Sequence, residues 1–375
     1  MRIAGGWLTR AQPVLALLAD GGQQALVVGG CVRNALMEVP VSDVDIATDA
    51  RPERVLALAE AGGLRAVPTG LAHGTVTLVL DGRGYEVTSF RRDVETHGRH
   101  ATVAFSDSVA EDAARRDFTV NALYAQADGQ VLDPLGGLAD VQARRVRFVG
   151  DATARITEDY LRILRFFRFQ AQYGDPAQGL DPDALNACAR GVEGIAQLSA
   201  ERIGAEMRKL LAAPDPAPAV AAMAQTGVLA QVLPGADARV LAPLVHLEAG
   251  DAPSSLRRLL ALGGQTDRLR LTKREAQALD RGRAALGDMA PPAELGYRLG
   301  RDLARDVVLV RAALLDQPPP PGWQADIARG ASARFPLRAR DLPHLHGPEL
   351  GDALRAAEAR WIASDFRLEK SDLLG

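Results

Sequence analysis

Leu26-Val27-Val28-Gly29-Gly30-Cys31-Val32-Arg33-Asn34-Ala35-Leu36-Met37-Glu38-Val39-Pro40-Val41-Ser42-Asp43-Val44-Asp45-Ile46-Ala47-Thr48 is the stretch from which the rest of the chain is read. Leu26 to Val28 has the character of a short buried strand. Gly29-Gly30 closes it, a helix carrying Arg33 follows, and a second strand presents Asp43 and Asp45 with one residue between them. Side chains alternate along a strand, so the two carboxylates share a face at a separation of roughly 6–7 Å, with Ser42, Val44 and Ile46 on the other. Two acids on one rigid face suit one or two hard cations, Mg²⁺ above all. The glycine pair opening a helix bares backbone N–H groups to a phosphate, and Arg33 stands beside it as a planar fork. Strand-Gly-Gly alone is usually a tight turn, and Asp-x-Asp alone a solvated strand end. In series they predict metal-dependent phosphoryl or nucleotidyl transfer.

Read as GGCVRN followed by SDVDIAT, the stretch resembles the head-domain signature of class II nucleotidyltransferases of the DNA polymerase β superfamily. That group contains the tRNA CCA-adding enzymes and the bacterial poly(A) polymerases. Its usual pattern is G-G-x-V-R-D. Here Asn34 replaces the final Asp, keeping the shape and a hydrogen-bonding oxygen but losing the charge, which puts an electrostatic role for that position in question. By the resemblance, Gly29, Gly30 and Arg33 bind the triphosphate, and a third acid is expected on a strand beside the Asp pair. Glu86 is the candidate for it, in the second arm of a hairpin from Thr75 to Leu80, through Asp81-Gly82-Arg83-Gly84, to Tyr85 and Phe90. A solvent-facing Glu on a strand is the plain alternative.

From Arg91 to Ser106 the sequence is polar and lacks periodicity, which predicts a loop. In CCA-adding enzymes a flexible loop at this place switches addition from C to A, and its full length here, with Glu95, Gly98 and Arg99, implies complete CCA addition. Asp107 or Ser106 is expected to cap the next helix, which ends in Arg115-Arg116-Asp117. The run Arg115-Arg116-Asp117-Phe118-Thr119-Val120-Asn121-Ala122-Leu123 resembles the family's second motif. Arg116 is the arginine expected to face the triphosphate, since a guanidinium offers phosphate a bidentate fork and stays charged. Arg115 alone would fit a helix C-terminus.

Thr157 to Phe169 reads as one helix with Thr157 as N-cap. On it Asp159, Arg162, Arg165 and Arg168 recur every third residue. A surface ion pair between Asp159 and Arg162 would be worth only a few tenths of a kcal/mol, about 0.3. A sharper reading follows from hydrogen-bond chemistry. A carboxylate accepts from an exocyclic amine while a guanidinium donates to the adjacent ring nitrogen, so the pair admits cytosine and adenine. Uracil and guanine present an oxygen beside an N–H and are refused. The E-D-x-x-R-x-x-R pattern is similar to the family's base-selecting motif, which implies that Asp159 and Arg162 read the base while Arg165 and Arg168 help hold the nucleotide.

The chain has 375 residues, 47% hydrophobic and 24% charged, with net charge −3 and a pI near 6.1. It is no polycation, so nucleic acid must meet a local basic surface. Cys31 and Cys188 stand far apart, which argues against a disulfide framework or structural zinc and suits a reducing cytoplasm. No apolar run is long enough to span a bilayer, so no membrane partner is expected. His344 and His346 lack a third ligand or a His-Asp dipeptide.

The fold expected is α+β: a polymerase-β-like head, a small mixed sheet with helices (1–150), then an all-α neck bearing the base-selecting helix (151–212), body (213–317) and tail (318–375). Gln317-Pro318-Pro319-Pro320-Pro321-Gly322 is a stiff linker at the last boundary. The tail pattern is similar to the part of related enzymes that holds the tRNA elbow, with Arg334, Arg338, Arg340 and Lys370 as candidate phosphate contacts. The function implied is template-independent addition of CCA to the tRNA 3′ end from CTP and ATP, by a monomer or homodimer. Open alternatives are a bacterial-type poly(A) polymerase, a CC-only or A-only enzyme, and a silent tRNA-binding module.

Overall fold

The computed structural model describes residues 1–97, 100–248 and 250–374, and of 93–97 and 100–103 the backbone alone. Two compact units divide the chain, Met1–Val232 and Leu233–Gly375.

The first unit begins with α1 (Gly6–Asp20), whose Val14, Leu15 and Leu18 are buried, and which ends at Gly21. It leads into β1 (Ala25–Val28), α2 (Gly30–Leu36) and β2 (Asp45–Thr48). Next come α3 (Pro52–Ala61), started by Pro at its first position, and β3 (Arg65–Gly70). The hairpin is β4 (Thr75–Leu80) and β5 (Arg83–Ser89). Its turn is tighter than expected, two residues only, because Asp81 and Gly82 both adopt positive φ, the geometry that matches strand twist. Two short strands further along the chain, β8 (Tyr124–Ala125) and β9 (Val131–Leu132), complete a seven-stranded sheet of order β3-β4-β5-β2-β1-β8-β9. The β2–β5 pair is parallel and the other pairs are antiparallel.

One sheet face sets Val27, Ile46, Val76, Leu78 and Val87 in the core. α1 and α3 cover it, and the Tyr85 hydroxyl donates to the Arg10 carbonyl of α1. The opposite face joins Leu26, Val28 and Ala47 to Phe90, Ala113, Ala122, Tyr124 and Val149. Asp45 and Glu86 lie at the open end of that second face.

The segment from Arg91 to Ser106 is not the loop the sequence suggests. Its backbone forms an antiparallel ribbon, β6 (Arg91–His97) with β7 (His100–Phe105), separate from the main sheet. A two-stranded sheet of its own need not show the alternation that a core face imposes on sequence. The next helix, α4 (Val109–Ala114), is capped by the Ser108 hydroxyl rather than by Asp107 or Ser106. The Ser106 hydroxyl instead donates to Glu111. Helices α5 (Gly137–Gln142), α6 (Ala152–Glu158), α7 (Leu161–Tyr173), α8 (Pro182–Arg190), α9 (Ala200–Leu211), α10 (Ala217–Gln225) and α11 (Val228–Val232) finish the unit. The chain is thus α+β, a mixed sheet with its own helices followed by helices alone.

The second unit is helical, comprising α12 (Leu241–Leu247), α13 (Ser255–Leu262), α14 (Lys273–Gly287), α15 (Pro292–Leu299), α16 (Arg301–Leu314), α17 (Trp323–Ser332), α18 (Gly347–Ala363) and α19 (Lys370–Leu374). Thr272 and Glu275 make a capping box on α14. Gly296 and Gly330 let α15 and α17 approach until a Cβ on Gly330 would stand 1.8 Å from the Ala293 carbonyl oxygen. The proline run joins α16 to α17 within this unit.

A buried ionic network lies there: Glu248 accepts from Arg257 at 2.6 Å and Arg258 at 2.8 Å, and Arg257 reaches Asp306 at 3.3 Å. Burial pushes the Asp306 carboxyl up to about 6, opposed by Arg257 and reinforced by Asp302 and Glu248. The folded state therefore holds a proton that the unfolded chain releases near pH 4, and this contribution to stability is lost as pH rises toward 6. Asp306→Asn should match the parent in denaturant unfolding at pH 4 and exceed it by about 1–3 kcal/mol at pH 8. A less stable variant at pH 8 would mean that the Arg257 contact outweighs the cost of desolvation.

Candidate active site

Gly29 and Gly30 turn the chain from β1 into α2. Gly29 has φ +72°, a conformation costly for a side chain, and the Arg116 Nη1 stands 3.4 Å from where its Cβ would be. At Gly30 the corresponding neighbour is the Arg33 Nη2, at 3.6 Å. The two arginines picked out in separate motifs therefore converge on one turn at the N-terminus of a helix.

A buried clamp that the sequence does not announce holds Arg116. Its Nη2 donates to Asp112 at 2.9 Å and its Nε to the Tyr124 hydroxyl at 3.0 Å, while that hydroxyl donates to Asp112 at 2.7 Å. Asp112 is 1% exposed. Despite that burial, Arg116 and then Arg115 hold its carboxyl below the usual range. Fixed on its Nε and Nη2 edge, Arg116 keeps Nη1 toward the glycine turn. The signal was in the sequence only as a four-residue spacing on one helix.

Asp43 and Asp45 are not on one continuous strand. The ladder starts at Asp45, paired with Val28, because β1 ends where Gly29 turns away and leaves Asp43 no partner. Asp43 sits in the exposed connection and accepts from the Ser42 hydroxyl at 2.9 Å. Asp45 pairs in parallel register with Glu86, which puts their side chains side by side on one face. The Asp45 carboxyl stands above its ordinary value. Desolvation by the surrounding protein is the first cause although the side chain reaches solvent, then the negative charge of Glu86, with Arg116 opposing and Asp43 adding. All three acids and Arg116 thus act on one point. Among the described residues no cluster of three or more His, Cys, Asp or Glu is tight enough to hold a metal, and none of the three acids is in an ion pair. Carboxylate oxygens without an ion-pair partner among the described residues, as in Asp43, Asp45 and Glu86, are the donor type that a hard divalent cation takes.

The helix expected over Thr157–Phe169 is broken. α6, capped by Asp151, ends at Glu158, Asp159 is extended, and α7 restarts at Leu161. Asp159 accepts from the Leu161 N–H at 3.1 Å and from Arg202 of α9 at 2.6 Å. Arg162 pairs with Glu158 and donates to the Arg155 carbonyl at 2.6 Å. Asp159 and Arg162 are therefore not an ion pair with each other. Each is oriented by another group, and Arg162 keeps Nε and Nη2 without a partner among the described residues. Asp159 borders a cleft with Thr157, Tyr160, Gln197 and Arg202.

Arg165 pairs with Asp117, whose carboxyl is held below its usual range by Arg165 and Asn121 against its burial. Arg168 pairs with Glu206 at 2.5 Å. Both guanidinium groups, and that of Arg33, face the Phe169 ring. Of the other predicted residues, Glu95 lies in β6 with its side chain outside the described residues, and Arg99 lies outside them altogether. In the tail, Lys370 pairs with Asp341 at 2.6 Å and Arg334 donates to local carbonyls.

Comparison with known proteins accords with this arrangement. The sequence profile of the family described as "Poly A polymerase head domain" matches residues 25–147, and that described as "Probable RNA and SrmB- binding site of polymerase A" matches 179–239. The CCA-adding enzyme of Geobacillus thermodenitrificans is 35% identical over 94% of this chain and 89% of its own length. The mitochondrial CCA tRNA nucleotidyltransferase 1 of Mus musculus is 32% identical over 96% of this chain and 87% of its own. The crystal structure of the Bacillus stearothermophilus CCA-adding enzyme in complex with CTP superposes with a TM-score of 0.74 at 30% identity, covering 96% of this chain and 94% of that one.

Proposed function

The chain belongs to the class II CCA-adding nucleotidyltransferase family, and from that premise we propose how its own residues perform the reaction. It is a CCA tRNA nucleotidyltransferase that adds C, C and A to the 3′ end of tRNA from CTP and ATP. The observation that carries the site assignment is the convergence of Arg116 with Asp45, Glu86 and the Gly29 turn.

The RNA 3′-hydroxyl attacks the α-phosphate, an O–P bond forms, the bond to the β-phosphate oxygen breaks, and pyrophosphate leaves. Gly29, Gly30, Arg33 and Arg116 hold the triphosphate in line, Arg116 through the nitrogen its clamp leaves free. Asp43 and Asp45 would hold Mg²⁺, which would supply activation of the hydroxyl and stabilisation of the leaving oxygens. Glu86 keeps that edge negative. Asp159 and Arg162 read the base, while Arg165 and Arg168 brace the helix against Asp117 and Glu206. The segment from Arg91 to Ser106, with Glu95 and Arg99, serves the change from C to A. Division into head (1–150), neck (151–212), body (213–317) and tail (318–375) follows this reading, with Arg334, Arg338, Arg340 and Lys370 toward the tRNA elbow. Among the described residues no helix is long and apolar enough to cross a membrane. Both cysteines are free thiols, which favours a cytoplasmic setting.

The experiment is incorporation of labelled nucleotides into tRNA lacking its 3′ end, with CTP and ATP supplied singly and together. Two C with CTP alone, and C, C, A then arrest with both, are expected. An unlimited A tail, or no label, would overturn the assignment.

A further inference from the structure

Both ends of the segment from Arg91 to Ser106 rest on neighbouring residues of α4. The Arg91 backbone N–H donates to the Asp112 Oδ1 at 3.3 Å, and the Ser106 hydroxyl donates to Glu111 at 2.5 Å. The base of the segment is also tied to the main sheet. The Ser106 N–H donates to the Phe90 carbonyl at 2.8 Å, and the Phe90 N–H to the carbonyl of Thr48, the last residue of β2.

Asp112 is the hub of this arrangement. Its Oδ1 takes the Arg91 N–H and the Arg115 Nε, the latter at 3.1 Å. Its Oδ2 takes the Arg116 Nε and Nη2 and the Tyr124 hydroxyl. Every partner is a donor, so both oxygens are needed as acceptors. An amide in the same place would turn its NH₂ toward donors on one side. In a buried site that mismatch is strongly unfavourable. One carboxylate therefore spans the start of the segment and the guanidinium whose Nη1 stands at the Gly29 turn.

We propose that Asp112 is a positioning residue that ties the segment from Arg91 to Ser106 to the triphosphate arginine, so that the aim of Arg116 depends on how Arg91 is held. The segment then bears on CTP and ATP alike, through the phosphates they share, apart from any choice of base. This rests on Arg116 facing the triphosphate, as proposed above.

The test is calorimetric binding of inorganic tripolyphosphate, in Mg²⁺ and without tRNA, to the full chain and its variants. Asp112→Asn should weaken binding at least about tenfold, the scale of a charged hydrogen bond that has lost its aim. Its burial also makes Asp112 important to folding, so a second pair of variants isolates the link. Arg91 is the first residue of β6, a strand position that proline can take. Arg91→Pro removes the N–H, and Arg91→Ala keeps it. Arg91→Pro should bind at least about threefold more weakly than Arg91→Ala, the loss of one hydrogen bond. Combined with Asp112→Asn it should weaken binding no further, because the link is already cut, whereas independent packing losses would add. Equal affinities in Arg91→Pro and Arg91→Ala, or additive losses in the double variant, would overturn the proposal. Arg116→Gln separates that failure from failure of the cradle. A loss of at least about tenfold there keeps the triphosphate role of Arg116 whatever the other variants do. An Arg116→Gln chain that binds like the parent would remove that role and the proposal with it.

Discussion

Asp45→Asn should lower incorporation of C and of A by at least about a thousandfold, the scale on which removing a ligand of the catalytic cation acts. The substitution is isosteric and removes only charge. Asp45 begins the ladder between β1 and the parallel strand β5, so its backbone is held by pairing whatever its side chain. Its carboxylate is already disfavoured by desolvation and by Glu86, so its loss should leave the melting temperature unchanged or slightly higher. Activity and stability then part company, which a folding defect would not produce. Single-turnover incorporation of labelled CMP in Mg²⁺, with a circular-dichroism melt beside it, checks both halves. A residual rate within about tenfold of the parent would move the chemistry away from this strand edge.

What could be read ahead of the structure was what lies close in sequence and depends on residue type. The glycine turn is local, and it opens a helix as expected. Glu86 was placed beside the Asp pair only through the family resemblance. What puts it there is the parallel β2–β5 register, set by a crossover through residues 49–82 that no local pattern encodes. Periodicity misled at Asp159, because an i, i+3 stripe looks the same whether the helix runs on or breaks and restarts. The buried partners were missed for a related reason. Asp112 and Glu206 look like ordinary helix-surface acids until the fold closes Tyr124, Arg116 and Arg168 over them. Charge type is visible in sequence, but which opposite charge satisfies it is decided by packing.

Asp159→Ala should collapse the choice among the four nucleotides. Preference for CTP over UTP, and for ATP over GTP, should fall from about a thousandfold or more to within about tenfold, because a polar site built to pair refuses mismatched donors and acceptors strongly. Asp159 lies in the break between α6 and α7 and is not paired with Arg162, and Arg202 steadies one of its oxygens. Each carboxylate oxygen has a further lone pair, so an incoming amine can be accepted without releasing Arg202. On this reading Arg162, paired with Glu158, would offer its remaining N–H groups to the ring nitrogen. With Asp159 gone, the amine of cytosine or adenine loses its acceptor, and the oxygen of uracil or guanine no longer faces a carboxylate. Discrimination therefore falls from both sides. Rates with CTP should drop far less than in Asp45→Asn, since the strand edge that carries the chemistry is untouched. Competition assays with all four nucleotides on tRNA lacking its 3′ end measure the effect. A variant that kept the parent's preferences would place base reading elsewhere and leave Asp159 as the anchor that ties Arg202 of α9 to the start of α7.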